Sequence, residues 1–117
     1  MRKNSKEIAL SLAGLLEGKK AIDTVILDIT KISFIADYFI ISTAQSPSHL
    51  KTLSNALARK VKENHIKRNL NYEGSPQTGW VLLDCGDVVI HLFSAERRDY
   101  YHLEYIWQEA EEVSFQK

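Results

Sequence analysis

Apolar residues at Ile8, Leu12, Leu15 and Leu16 return at the three- and four-residue steps of one helix face. That spacing predicts a helix over 5–17, with Ser5 as its cap and Gly18 as its end. TVILDI, 24–29, is short, β-branched and apolar, and reads as a strand. YFIISTA, 38–44, is apolar on both faces for four residues, the signature of a central strand covered on both sides. Ser46-Pro47 then opens a second helix, Ser as cap and Pro in the first turn, where its missing N–H costs nothing. Leu50, Leu53, Leu57 and Val61 give that helix a buried stripe, and it runs to about His65. Residues 67–77 are polar, with Gly74 and Pro76, and read as a loop or a weak extra strand. After the hairpin of 79–93, Ser94 caps a last helix whose buried side is Leu103, Ile106, Trp107 and Ala110. The pattern predicts a single α/β (α+β) domain over 1–117, a sandwich of a mixed sheet and flanking helices.

GWVLLDCGDVVIHLF is the stretch whose polar positions break the apolar run. A two-residue turn at Cys85-Gly86 would pair Asp84 with Asp87, Leu82 with Val89 and Trp80 with His91. Residues paired across an antiparallel ladder share a face. Val81, Leu83, Val88, Ile90 and Leu92 then form one wholly apolar face, the core side. The other face carries Trp80, Leu82, Asp84, Asp87, Val89, His91 and Phe93. Aromatic and aliphatic anchors inside a polar rim make up a protein contact surface. The alternative is that a helix covers this face and Trp80 is core.

Composition narrows the chemistry. Fifteen basic and fifteen acidic side chains cancel, so no global positive excess grips nucleic acid. The charge is uneven, however: 58–68 holds five basic residues against one Glu, and 96–112 holds six acidic against two basic. Either these are solvated helix faces or they are patches for partners. With Cys85 as the one cysteine, neither an internal disulfide nor a cysteine zinc cluster can form. A metal site at Asp84, Asp87 and His91 would need further ligands, and His49, His65 and His102 show no ligand spacing such as H-x-x-x-H, so no metal site is expected. Neither phosphate-cradling glycine motif occurs, and no cofactor is expected. No apolar run approaches the ~20 residues of a membrane span, and a soluble cytoplasmic protein is the expectation.

Three stretches carry a family resemblance: ADYFIISTAQSPSHLKTL (36–53), GWVLLDCGDVVIHLF (79–93) and RRDYYHLEYIW (97–107). In this order they resemble the ribosomal silencing factor family, also called RsfS or Iojap-like. Ala44 stands where the family usually has Gly, Cys85 where it has an aromatic, and Ile106 where it has Leu. The resemblance implies a fold similar to nucleotidyltransferases. It also implies binding to the large ribosomal subunit through its protein number fourteen, blocking the small subunit and repressing translation. Organelle relatives are linked to large-subunit assembly, and members are often homodimers.

On that resemblance Trp80 and Leu82 are the expected anchors, Asp84, Asp87 and Glu104 the charge partners, and His91, Tyr100 and Tyr101 the rim. No catalytic residue is expected. A nucleotidyltransferase would need a D-x-D pair and a Gly-Ser loop, and TVILDI and YFIISTA supply neither. Little direct nucleic-acid contact is expected, the alternative being an assembly factor with RNA contacts through ARKVKENHIKR.

Overall fold

The computed structural model describes residues 5–32, 36–64, 66, 71–97 and 111–113. Helix α1 spans Ser5–Gly18 and is followed by strands β1, Ile22–Asp28, and β2, Tyr38–Ala44. Helix α2 spans Pro47–Glu63. Strand β3, Asn71–Ser75, leads through a 3₁₀ turn at Pro76–Thr78 into β4, Trp80–Asp84, and β5, Val88–Ser94. Strand β6 is Glu111–Val113. Six strands make one sheet in the order β3-β4-β5-β2-β1-β6. β2 and β5 are parallel, and every other neighbouring pair is antiparallel. This is the expected α+β architecture with a mixed sheet.

Local chemistry explains the elements. Ser46 has an extended φ of −161°, and its Oγ accepts the His49 N–H at 3.0 Å, so the cap forms as the sequence predicts. Leu50, Leu53, Leu57 and Val61 of α2 and Leu12 and Leu16 of α1 bury against Ile26, Ile40, Val81, Leu83, Ile90 and Leu92. Both helices therefore cover one face of the sheet. β2 occupies the centre, and six of its seven residues are buried, as its two-sided apolar pattern requires. On this core side Thr24 and Ser42 satisfy one another through a 2.6 Å hydroxyl contact. Ser5 also reaches outside its own helix: its hydroxyl donates to Asp37 Oδ2 at 2.7 Å, tying the start of α1 to the start of β2.

The hairpin differs from expectation in register. Asp84 pairs with Val89, Leu82 with His91 and Trp80 with Phe93, two positions away from the predicted partners. The Cys85 N–H donates to the Val88 carbonyl at 2.9 Å, so Gly86 and Asp87 form the turn. Gly86 takes φ +88° as the first of the two, and its N–H donates to Asp84 Oδ1 at 2.9 Å. Cys85 moves from the expected tip into the core face, where it is buried. The expected pairing of Asp84 with Asp87 is thereby corrected, which also avoids two like charges facing each other. A shift of two leaves side-chain parity intact, so each strand residue keeps its predicted face.

Two edge strands were not resolved by the sequence pattern. β3 fills part of the stretch read as a loop or weak strand, pairing with β4 from Asn71↔Asp84 to Ser75↔Trp80. β6 adds beside β1, with Asp28 opposite Glu111, directly after Ala110, the last residue assigned to the buried side of the predicted final helix. Residues 95–97 are helical behind Ser94, whose Oγ accepts the Arg97 N–H at 3.2 Å. Leu103, Ile106, Trp107 and Ala110, the predicted buried side of that helix, lie outside the described residues.

Candidate docking site

The sheet face turned away from α1 and α2 takes its apolar residues from four of the six strands. β1 contributes Val25 and Leu27, and β2 contributes Phe39 and Ile41. β5 brings Val89, His91 and Phe93, and β4 brings Trp80, Leu82 and Asp84. Burial is graded across it. Ile41 and Phe93 in the middle are at most 1% exposed, whereas Trp80 and Leu82 on β4 are only half-buried. The face is thus divided into two zones. Its centre is a second core, and its β4 margin is an accessible apolar strip.

His91 sits at the junction of these two zones. Its ring lies 5.1 Å from Phe39 in a tilted arrangement and 6.1 Å from Phe93, stacked. Trp80 Nε1–H points at His91 Nδ1 at 3.5 Å, a long contact that places the ring proton on Nε2. His91 Nε2 finds no hydrogen-bond partner among the described residues. Burial pushes the His91 pKa down to about 4, so the side chain is neutral at neutral pH. A neutral imidazole among aromatics explains how a histidine occupies an apolar face. It also corrects the expected role of His91: the residue is 8% exposed and lies beneath the surface, not at its rim.

Asp84 remains at the margin beside Leu82, half-buried, with one oxygen committed to the turn. Asp87 leaves the face altogether. It is exposed at the hairpin tip, and its carbonyl accepts the Asp37 N–H at 2.7 Å and the Tyr38 N–H at 3.1 Å. The tip thereby joins an acidic end of the sheet. Asp28 lies there too, its carboxyl held below the usual range by hydrogen bonds from the Thr30 hydroxyl and N–H. Burial, with the Asp28 and Asp37 charges behind it, pushes the Tyr38 hydroxyl pKa upward. Tyr100, Tyr101 and Glu104 lie outside the described residues. Among those described, no group of acidic, histidine or cysteine side chains could hold a metal ion.

Phe39, Ile41 and Leu27 also belong to this face, and the sequence signal for them is the two-sided apolar run of YFIISTA and the apolar strand TVILDI. Gly74 was missed. It has φ +80°, and a Cβ there would collide with the Trp80 backbone carbonyl and touch its indole at 3.0 Å. Gly74→Ala is expected to cost about 1–3 kcal/mol by strain at that φ, read as a lower urea midpoint. An unchanged midpoint would mean that β3 does not hold Trp80 in place.

The model of the family described as ribosomal silencing factor during starvation matches residues 2–117. The chain belongs to the ribosomal silencing factor family. It is 36% identical over 107 residues to the ribosomal silencing factor RsfS of Bacillus subtilis, covering 92% of this chain and 90% of that one. A crystal structure of a Chromobacterium violaceum protein superposes with a TM-score of 0.84 at 32% identity, covering 98% of this chain and 94% of that one. A mouse protein named for mitochondrial assembly of the ribosomal large subunit is 30% identical over 98 residues, 82% of this chain and 43% of its own length. Membership makes ribosome association the general role, in keeping with the resemblance carried by 36–53, 79–93 and 97–107. Among the described residues no helix is long and apolar enough to cross a membrane.

Proposed function

We propose that the β4 strip of this sheet face docks on the large ribosomal subunit, through its protein number fourteen. Once docked, the factor blocks joining of the small subunit by its bulk alone and so represses translation. The observation that carries this reading is the half-buried pair Trp80 and Leu82, set against a fixed aromatic layer of Phe39, His91 and Phe93. An anchor held in place before binding loses little conformational freedom on docking. Asp84 beside the pair and Asp87 at the tip supply negative charge toward a basic ribosomal protein. Tyr100, Tyr101 and Glu104 would extend the contact. The mechanism uses no catalytic residue, metal or cofactor, acts in the cytoplasm, and is compatible with a homodimer in isolation.

Sedimentation tests it. Protein added to separated subunits should co-migrate with the large one and lower the yield of joined ribosomes. Normal joining at saturating protein would overturn the occlusion mechanism. A second reading, a role in large-subunit assembly, is favoured by the mouse relative's name. It would show as accumulation of immature large subunits when the protein is depleted.

A further inference from the structure

The outer face of α2 has a composition that the docking site does not use. Ser48, Lys51, Thr52, Asn55, Arg59 and Lys62 are all exposed. At 100° per residue they fall within an arc of about 100°, opposite the buried stripe of Leu50, Leu53, Leu57 and Val61. From Lys51 to Lys62 the track is about 16 Å long at helical rise. The whole helix carries Lys51, Arg59, Lys60 and Lys62 against Glu63 alone, in a chain whose total charge is zero.

Helix stability accounts for part of this. Lys60 and Lys62 lie in the last turn, where cations suit the helix dipole. Lys51 lies near the opposite end, where the dipole disfavours a cation, and the first turn holds no acidic residue to offset it. More positive charge is brought to that end. His49 Nδ1 accepts the Gln45 N–H at 2.9 Å, which leaves Nε2–H to donate to the Lys19 carbonyl at 2.8 Å. Gln45 Nε2 donates to the Lys20 carbonyl at 3.0 Å. These bonds hold exposed Lys19 and Lys20 beside the start of α2.

The residue types select the partner. A protein partner would need apolar anchors, and this arc presents none. Unpaired nucleic acid would need aromatic platforms for its bases, and the arc has none of those either. Lys and Arg interleaved with Ser, Thr and Asn are the side chains that contact phosphate and sugar of a duplex. We infer that the outer face of α2, led by Lys51, Arg59 and Lys62, binds the phosphate backbone of double-stranded RNA on the large ribosomal subunit. This rests on the large-subunit reading, and it revises the expectation of little nucleic-acid contact. Two faces on opposite sides of one sheet would then seat the factor in a corner between a ribosomal protein and ribosomal RNA.

The test compares the parent with a triple variant carrying Lys51→Gln, Arg59→Gln and Lys62→Gln. All three sites are exposed, and Gln sustains a helix, so the variant should fold with parental circular dichroism. Two probes are titrated over a range of salt: a 20-base-pair RNA duplex and purified large subunits. The parent should bind the duplex with a steep salt slope. The variant should bind it at least about 10-fold more weakly at low salt, with a slope flatter by about 2–3. Its slope on the large subunit should flatten likewise, while Trp80→Ala leaves duplex binding unchanged. Equal duplex affinity for parent and variant would overturn the inference. Weakened subunit binding at unchanged duplex affinity would assign the stripe to an acidic protein and overturn it too. Loss of subunit binding by Trp80→Ala alone, with the triple variant at parental slope, would keep the docking site and discard the RNA contact.

Discussion

Trp80→Ala is expected to weaken binding to the large subunit by about 30-fold or more, the loss of ~2 kcal/mol typical of an aromatic hot spot. The indole stands at the margin where the second core opens to solvent, so it is both supported from below and accessible from outside. Truncation removes the anchor and also its contact with His91. Because Trp80 is half-buried, the substitution will lower folding stability as well, and binding must be measured where the variant is folded by circular dichroism. Asp84→Asn separates charge from structure. The Asn side-chain carbonyl can still accept the Gly86 N–H that fixes the turn, whereas the negative charge is gone. That variant should fold normally and bind with a slower on-rate and a shallower salt dependence, as a rim charge does. A folded Trp80→Ala protein that binds the subunit like the parent would remove the β4 margin from the docking surface.

The hairpin shows why part of this site was legible in the sequence. Alternation assigns Trp80, Leu82, Asp84, His91 and Phe93 to one face, and that assignment survives a register error because the error is even. What alternation cannot supply is the position of the turn. Cys85-Gly86 and Gly86-Asp87 both place a glycine in a two-residue loop, and the choice depends on tertiary terms. Burying Cys85 opposite Val88 and docking the Asp87 carbonyl on the start of β2 decide it. Burial itself was also out of reach. His91 reads as a rim residue because histidine is usually half-exposed, and only the neighbouring strands reveal Phe39 beside it. The edge strands were illegible for a different reason. β3 has one aromatic, Tyr72, beside Gly74, and β6 has one β-branched residue after two glutamates, too little of the content by which strands are read. Their pairing comes from the sheet edges they join.

Acid should destabilise this fold before its carboxylates protonate, and His91 is the reason. The unfolded imidazole takes up a proton near pH 6.5, whereas in the fold burial delays this to about pH 4. Between those values the unfolded chain binds more protons than the folded one, so stability falls as pH falls. Both states are charged below about pH 4, where the loss attributable to His91 is complete at ~3 kcal/mol. From pH 7.5 to pH 5 the expected loss is about 2 kcal/mol, read from urea unfolding at each pH. Asp28, whose carboxyl is held low by Thr30, loses its contribution only at more acidic pH, so the two effects separate. The decisive comparison is with His91→Phe, which keeps a ring among Phe39 and Phe93 and removes the titrating group. Its stability should fall less than that of the parent over the same interval, by nearly the whole of that ~2 kcal/mol, whatever its stability at pH 7.5. Parallel pH profiles for the two proteins would mean that His91 is solvated in the folded state. The neutral, buried histidine would then no longer support the apolar layer on which Trp80 rests.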